Sequence, residues 1–387
     1  MAGGVALGRE ASGRIVLVEG ALPGERARVE LSVDRPTLAK GVATEVLSTS
    51  PDRVTPPCPE LAAGCGGCDL QHAGLELQRQ LKVEVVRDAL TRIGRLPDVE
   101  VLAGEVLPAL DQRTVLRCAV VDGRAGLRRR RSNDVHVLDR CLVAHPAVEQ
   151  IVAQGRFPGA TEIVVRIGAR TGERMVVVGP TVGAATVPAG VTLVGADDVA
   201  AGRTAWVHEL VARRRFRISA GSFFQARPDG AEALIRAAAR AVAPFDHTAD
   251  RLVDLYGGVG LFTAGLDAHR AVVVERSGSS VDDARVNLAS LGAQVVHADV
   301  GTWSPSTADV VVADPARAGL GPAGTAAVVG TGATRVALVS CDPASLARDA
   351  RLLADEGYLP TGVELVDMFP HTHHVEAVTA FRRIGAP

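Results

Sequence analysis

One cysteine stands where a predicted strand gives way to a loop. The apolar run VALVS over residues 336–340 ends at Cys341, and Asp342-Pro343 and a helix-like stretch follow. A lone cysteine is most often an inert apolar side chain. At the carboxyl end of a strand, however, the N-terminus of the next helix is expected to lower the thiol pKa and to favour the reactive thiolate. We therefore interpret Cys341 as a nucleophile that forms a covalent bond to its substrate.

A carboxylate near the end of the chain is a candidate base. Glu376 enters an apolar strand after a loop that carries His371, His373 and His374. Three histidines invite a metal interpretation, but no further ligand follows at a fixed spacing, and a loop with exposed imidazoles is favoured. A partly buried carboxylate suits proton abstraction, so Glu376 is the predicted base.

A glycine-rich loop indicates a nucleoside ligand. Residues 257–260 read GGVG between a strand and a helix, and glycines such as Gly258 and Gly260 let the backbone approach a ligand closely. Glu275 closes the next strand, where it can accept hydrogen bonds from a ribose, and Asp299 follows the third, near an adenine amino group. The G-x-G-x-x-G spacing and a Walker lysine are both missing, which argues against a pyrophosphate or triphosphate. An adenosine without phosphates favours S-adenosylmethionine.

Two more side chains are expected to face the same crevice. Asp314 ends the strand VVVAD, and ligands of open α/β sheets bind beyond the carboxyl ends of the strands. An N-cap or loop anchor explains an aspartate there equally well. Gln225 in the motif SFFQ could hydrogen-bond a ligand, whereas Phe223 and Phe224 fit a plain hydrophobic core.

Three cysteines lie close together in CPELAAGCGGCDLQH, and they indicate a metal or cluster site. These are Cys58, Cys65 and Cys68, and the two glycines between the last two let amides turn toward thiolate sulfurs. A fourth ligand is needed. Cys118 lies inside an apolar run, whereas Cys141 precedes a loop, so Cys141 is chosen. Zinc and an iron–sulfur cluster both fit four thiolates.

The elements that position these residues change in character along the chain. Residues 1–50 read as short strands with glycine turns, plausibly a small barrel. Residues 51–215 are mostly strand-like, apart from a predicted helix over 75–94. Residues 216–387 alternate between helices and strands, which predicts a parallel sheet with helices on both faces.

Composition limits the classes of partner. The net charge of −2 gives no global basic field, so contacts to nucleic acid must come from local patches such as the arginine runs in GLRRRRSND and ARRRFR. We find no apolar run long enough to span a membrane and no signal-peptide pattern. We expect a cytoplasmic protein with reduced thiols.

Together these motifs resemble the RNA 5-methyluridine methyltransferases, enzymes that methylate tRNA or large-subunit ribosomal RNA. The resemblance covers nearly the whole chain and rests on ordered segments: GRIVLVEGALPGERARVEL, the cysteine segments, SFFQ, DLYGGVGLF, DPARAG, SCDPASLARD and DMFPHTHHVE. It implies a multidomain α/β protein with an N-terminal OB-like TRAM barrel, a mostly β central RNA-binding domain with a [4Fe-4S] cluster, and a Rossmann-like class I methyltransferase domain. The 75–94 helix is expected to lie close to this last domain.

The resemblance also implies roles for individual residues. Cys341 would attack carbon 6 of the uracil and Glu376 would remove the proton from carbon 5. The positions that would contact or shape the S-adenosylmethionine site are Gln225, Tyr256, Gly258, Gly260, Leu261, Glu275, Asp299 and Asp314. The cluster ligands would be Cys58, Cys65, Cys68 and Cys141.

The sequence departs from the family pattern at three points. Gly257 stands where many members carry cysteine, and Asp342 where many carry asparagine. The first barrel strand is expected to be short or missing. The RNA target stays open, and a monomer is expected. A non-catalytic RNA-binding module and an RNA cytosine-5 methyltransferase are the alternatives.

Overall fold

The amino-terminal unit is a four-stranded sheet. The computed structural model describes residues 3–10 and 12–385. The strands are β1 (Val5–Arg9), β2 (Ile15–Glu19), β3 (Arg26–Asp34) and β4 (Leu38–Ser48), in the order β1-β2-β4-β3. The first strand is present and pairs with β2 along its whole length, and with five residues it is short beside β3 and β4, which have nine and eleven. Within the described residues no pairing joins β1 to β3, and closure into a barrel stays a prediction.

The middle of the chain forms a second sheet with a helix packed on it. Its strand order is β11-β10-β9-β6-β7-β8, and α3 packs on β9 and β7. The bounds are β6 (Val115–Val121), β7 (Arg124–Arg128), β8 (Val135–Val137), α3 (Pro146–Gln154), β9 (Glu162–Ile167), β10 (Arg174–Gly179), β11 (Val191–Gly195) and α4 (Ala196–Ala200). A hairpin follows, β12 (Trp206–Val211) with β13 (Arg214–Ser219).

The carboxyl-terminal part is an eight-stranded sheet covered by helices on both faces. Strands β14 to β18 are parallel, in the order β16-β15-β14-β17-β18, as the alternation of helices and strands predicted. β20 runs antiparallel between β18 and β19. The bounds are α5 (Pro228–Val242), β14 (Leu252–Leu255), α6 (Leu261–Gly265), β15 (Ala271–Glu275), α7 (Gly278–Asn287), β16 (Gln294–His297), β17 (Val310–Ala313), α8 (Gly321–Gly330), β18 (Arg335–Ser340), α9 (Pro343–Asp355), β19 (Tyr358–Leu365) and β20 (Ala377–Arg383).

Residues from before the second sheet complete the third. After α1 (Pro59–Ala62), helix α2 (Leu75–Ala89) continues as a π-helical turn to Gly94, which matches the helix predicted over 75–94. α2 and its turn pack on α9, and β5 (Val101–Ala103) adds an edge strand parallel to β19. The hairpin likewise packs on α7 and α5. The carboxyl-terminal sheet and its helices therefore draw on residues 75–103, which the division at 215/216 assigned to the central unit.

Two hydrophobic cores fix this sheet between its helices. One face packs against α5, α6 and α7, and the other against α2, α8 and α9. Every residue of β14 and β17 is buried, as expected for central strands covered on both faces. None of the described helices is both long and apolar enough to cross a bilayer.

Candidate active site

The candidate site lies where the carboxyl ends of four parallel strands meet. The strand order reverses between β14 and β17, with β15 and β16 on one side and β18 on the other. Such a switch point opens a crevice at the carboxyl edge of the sheet. The structure brings the glycine loop, Asp314 and Cys341 to this edge, each directly after its strand. Glu275, the last residue of β15, lies at the same edge.

The glycine loop is shaped by its backbone and held by Glu275. Gly258 and Gly260 have φ of 55° and 89°, and Tyr256 shares this left-handed region with φ of 58°. A Cβ on Gly260, the N-cap of α6, would lie 2.8 Å from Leu288, so a larger residue does not fit there. The Gly258 amide donates to Glu275 Oε2 at 3.0 Å. Leu261 is buried in the first turn of α6, which fixes the loop's exit.

Glu275 and Asp299 retain acceptor capacity for a ligand. Glu275 Oε1 accepts from the Ser277 amide at 2.6 Å, and an ionised carboxylate has about four lone-pair sites. Asp299 accepts from the Gly301 amide at 2.9 Å, and its side chain is 56% exposed. Burial and the charge of Asp299 raise the pKa of Tyr256.

Asp254 supports the loop from inside the sheet, a role that sequence reasoning missed. It is fully buried in β14, and its Oδ2 accepts from the Thr263 amide at 3.1 Å and from Thr263 Oγ1 at 2.7 Å. Burial raises the pKa of Asp254 to about 6. In the segment RLVDL, Asp254 is one charged residue among apolar residues of a strand. The signal that could have revealed its role is that a charged residue in a buried strand needs hydrogen-bond partners.

Asp314 and Gln225 meet in the crevice. Gln225 Nε2 donates to Asp314 Oδ2 at 3.4 Å, and Gln225 is buried. Burial and the neighbouring Asp254 raise the pKa of Asp314. The SFFQ segment is thereby joined to the end of β17, although 89 residues separate the two side chains in sequence.

Cys341 lies where it was predicted, but its acidity was predicted wrongly. Burial and the nearby carboxyls of Glu376 and Asp314 raise the thiol pKa to about 11. At the N-terminus of α9, next to the thiol, Asp342 accepts from the Ser345 amide at 2.8 Å. Arg317, exposed in the loop after β17, acts in the opposite direction and lowers the thiol pKa.

Glu376 adjoins Cys341 and is almost entirely shielded from solvent. It is 5% exposed and directly precedes β20. Burial and Asp314 raise its pKa well above the ordinary value, and Arg317 partly opposes this. A carboxyl whose pKa is raised gives a stronger base once it is ionised.

The histidine loop is more buried than expected. His371 is 5% exposed and adopts φ of 66°, while His373 and His374 are half-buried, so the prediction of exposed imidazoles was wrong. His373 contacts the Asp69 carboxylate through Nδ1. Burial and the neighbouring His373 lower the pKa of His374 to about 4.

The two phenylalanines of SFFQ have different environments. Phe224 is buried and packs on Phe216, whereas Phe223 is 67% exposed. The core interpretation therefore holds for Phe224 and fails for Phe223. The exposed Phe223 ring lies two residues before Gln225 in the chain.

The predicted cysteine site forms one cavity away from the crevice. Cys58, Cys65, Cys68 and Cys141 line it together, and Cys118, buried in β6, is absent from the described lining. Burial raises the pKa of Cys65 and Cys141, and that of Cys68 to about 12. Among residues 3–10 and 12–385 no three His, Cys, Asp or Glu side chains are arranged as a ready-made metal-binding group, so a bound metal or cluster stays a prediction.

The arginine runs are largely engaged within the protein. Arg129 donates to the Ala63 carbonyl at 2.8 Å, and Arg130 and Arg131 both pair with the buried Glu19 of β2. In the second run, Arg217 pairs with the buried Asp283 at 2.6 Å. Arg130 and Arg131 join the loop after β7 to β2, and Arg217 joins β13 to α7. These pairings weaken the interpretation of the arginine runs as phosphate contacts.

The glycine loop, the Cys341 thiol and the buried Glu376 carboxyl together have the features of a group-transfer site. The chain is 37% identical to an uncharacterized RNA methyltransferase of Streptomyces avermitilis, over 97% of this chain and 94% of the relative. It is 33% identical to the 23S rRNA (uracil(1939)-C(5))-methyltransferase RlmD of Chromohalobacter salexigens, over 98% and 87% of the two chains. No family model matches the sequence.

A solved structure has the same fold. The tRNA (uracil-54, C5)-methyltransferase of Pyrococcus abyssi, in complex with S-adenosyl-L-homocysteine, superposes with a TM-score of 0.71 at 23% identity, covering 97% of this chain and 99% of that one. The chain therefore belongs to the RNA methyltransferase family and is an enzyme. The alternative of a non-catalytic RNA-binding module is set aside.

Proposed function

We propose that this enzyme transfers the methyl group of S-adenosylmethionine to carbon 5 of a uridine in RNA. The observation that carries the proposal is the convergence of Cys341, Glu376 and Asp314 beside the glycine loop. Relatives named for uracil carbon-5 methylation support the choice of base. The 23S rRNA enzymes among them make large-subunit rRNA the first substrate to test, and tRNA the second.

The residues of the crevice fit the methyl donor. When bound, S-adenosylmethionine supplies a methyl group activated by a sulfonium. Glu275 would accept from the ribose hydroxyls, and Asp299 would accept from the adenine amino group. The open backbone at Gly258, where an added Cβ would meet nothing within 4 Å, leaves space for a ligand to approach. Asp314 and Gln225 would hold the uracil or the donor in line.

The chemistry requires a nucleophile because carbon 5 of uracil is too weakly nucleophilic to take a methyl group directly. The Cys341 thiolate would add to carbon 6, and carbon 5 of the resulting enolate would take the methyl group, with the bond between the methyl carbon and the sulfonium breaking and S-adenosylhomocysteine leaving. Glu376 then takes the carbon 5 proton, the bond between sulfur and carbon 6 breaks, and the thiolate is regenerated. The uridine must leave its stack to reach the crevice, and the exposed Phe223 offers a surface for it.

We also propose that the four cavity cysteines hold a [4Fe-4S] cluster, with zinc as the alternative. The backbone of Gly67 lowers the pKa of Cys65, and the backbones of Val143 and Ala144 lower the pKa of Cys141, so nearby amides partly offset the effect of burial on these thiols. Arg113 lines the same cavity, and its Nε is buried without a partner in the described part of the chain. A cation there would offset the negative charge of thiolate ligands. Four irons per chain in anaerobically purified protein would support the cluster, and zinc alone would reject it.

The amino-terminal sheet would serve as a TRAM-like RNA-binding unit in this scheme. It connects to the second sheet through the pairs of Glu19 with Arg130 and Arg131. Residues of β1, β2 and β3 also line a large groove whose lining includes His373 in the loop before Glu376. Such a groove leads from the sheet toward the site.

Methyl transfer to defined transcripts tests the proposal. Large-subunit rRNA fragments and tRNA are incubated with labelled donor, and the digested nucleosides are identified by mass. 5-Methyluridine is expected, and 5-methylcytidine would instead support the cytosine enzyme. Cys341→Ala should abolish transfer while donor binding persists, whereas Glu376→Gln should accumulate a protein–RNA adduct that survives denaturation. Full activity of Cys341→Ala would reject the nucleophile.

A further inference from the structure

The predicted base depends on an irregular segment for its position. Glu376 follows residues 366–375, which link β19 to β20 without forming a helix or strand. Within this link, the Val366 amide donates to the Glu376 carbonyl at 2.8 Å. Further hydrogen bonds join residues within the link, and others anchor it to a different part of the chain.

Those anchors lie directly after the cysteine loop. The amides of Asp69 and Leu70 donate to the His371 carbonyl at 3.1 Å and 2.9 Å. The Asp69 carboxylate accepts from the His373 amide at 2.9 Å and contacts His373 Nδ1. Asp69 is the residue next to Cys68, so the same short segment lines the cysteine cavity and holds the catalytic loop.

Gln78 of α2 ties the two segments together. Its Oε1 accepts from the His371 amide at 2.7 Å, and its Nε2 donates to the carbonyls of Leu70 and Ala73 at 3.1 Å and 2.8 Å. Gln78 is fully buried, so water does not replace these bonds at low cost. The cysteine segment, α2 and the loop before Glu376 form one hydrogen-bonded unit.

The backbone of the loop needs such support. His371 is held with φ of 66°, a region that non-glycine residues occupy only when their surroundings over-determine it. Its amide and carbonyl are both bonded to the clamp from Asp69, Leu70 and Gln78. Without these partners, the loop would relax toward ordinary backbone angles and Glu376 would shift.

We propose that Asp69 is a positioning residue for Glu376, acting through His373, and that it transmits the conformation of the cysteine segment to the predicted base. This inference rests on the proposed function, since it takes Glu376 to be the base that removes the carbon 5 proton. It predicts that disturbing Asp69 slows proton removal while leaving donor binding and attack by Cys341 intact. A small displacement of a catalytic group is enough to cost about 100-fold in rate.

The test separates the steps with two RNAs. In 5-fluorouridine RNA, carbon 5 carries fluorine in place of the proton, so attack and methyl transfer occur but release cannot. Asp69→Ala should trap this RNA as fully as the parent enzyme does. With uridine RNA it should lower kcat about 10- to 100-fold, leave KM within about twofold, and accumulate the same adduct as Glu376→Gln.

Matched variants complete the design. Asp139 is an exposed aspartate that lies two residues before Cys141 and pairs with Arg124. Asp139→Ala should leave kcat unchanged. Asp69→Asn keeps an acceptor for the His373 amide and should restore most of kcat. His373→Ala leaves the cysteine segment untouched, so its own fall in kcat with adduct accumulation tests the clamp even if Asp69→Ala fails to fold.

The outcomes are distinguishable. If the parent enzyme forms no adduct with 5-fluorouridine RNA, the proposed function fails, and this inference fails with it. If the parent forms the adduct but Asp69→Ala and His373→Ala both keep kcat within twofold, only the positioning role is wrong. Loss of 5-fluorouridine trapping in a folded Asp69→Ala protein would also overturn it, because a positioning residue for the base does not act in the attack step.

Discussion

The Gly258 amide and the Glu275 carboxylate are joined by a hydrogen bond of 3.0 Å that connects the ends of two neighbouring strands. Glu275 also accepts from the Ser277 amide at the start of α7. One carboxylate thus fixes the glycine loop and the next loop of the crevice together.

Replacement of Glu275 should therefore weaken donor binding. Glu275→Ala removes charge-assisted acceptors and loosens the loop, and we expect the Kd for S-adenosylmethionine to rise about 10- to 100-fold. Glu275→Gln keeps one acceptor oxygen, so its Kd should lie between those of the unaltered protein and Glu275→Ala. Calorimetric titration measures the effect. The control is Glu356→Ala, which changes an exposed residue at the end of α9. Equal Kd values for the unaltered protein and for all three variants would remove Glu275 from the donor site.

The thiol pKa leads to a prediction about pH. A thiol with pKa of about 11 is protonated near neutrality, and its thiolate fraction rises about tenfold per pH unit below that value. Alkylation of Cys341 by iodoacetamide should therefore accelerate steadily between about pH 7 and pH 10. Arg317→Ala removes a charge that lowers this pKa, so it should shift the profile to higher pH and slow alkylation at any fixed pH in this range.

The matched control for Arg317 is Arg351→Ala, an exposed arginine on α9 that pairs with Asp355. Its profile should coincide with that of the unaltered protein. A flat profile between the same limits would mean that the thiolate already predominates, contrary to the structure. Mass spectrometry of the alkylated peptide ensures that Cys341 is the thiol being followed.

The sequence was sufficient to place the residues that end strands. Cys341, Asp314 and Glu275 each follow an apolar run that ends in a loop, and parallel strands bring such ends to one edge. Their meeting at the crevice therefore follows from local patterns. The choice of Cys141 over Cys118 also followed from a local contrast, since one precedes a loop and the other lies inside a strand.

Properties that depend on distant neighbours could not be predicted in this way. The pKa of Cys341 is raised first by burial and then by Glu376 and Asp314, which are far from it in sequence, so the helix-end argument gave the wrong direction. The 75–103 segment was assigned to the central unit because no local pattern shows that β5 pairs with β19. Phe223 and Phe224 are identical in type, and only their packing separates an exposed ring from a buried one.

Phe223 should contribute to RNA use through its exposed ring. Stacking of a base on an aromatic side chain is worth about 1–3 kcal/mol, so Phe223→Ala should lower kcat/KM for RNA by about 5- to 100-fold. Phe223→Tyr preserves the ring face and should stay close to the parent. Leu359→Ala, which truncates an exposed apolar side chain of β19, is the control. An unchanged kcat/KM in Phe223→Ala would show that the ring does not stack on the substrate.

The buried pair of Lys82 and Asp367 should matter for stability. Lys82 Nζ donates to Asp367 Oδ1 at 2.6 Å and to the Phe369 carbonyl at 2.9 Å, and burial lowers the lysine pKa. Lys82→Met leaves the Asp367 carboxylate buried without its partner, which should lower the free energy of unfolding by about 3–5 kcal/mol in urea titration. Arg79→Ala breaks a pair with the mostly exposed Glu76 carboxylate on the same helix and should cost under about 1 kcal/mol. The double variant Lys82→Met/Asp367→Leu removes both charges and should recover much of the loss, and a double variant no more stable than Lys82→Met would show that the unpaired charge is not the cause.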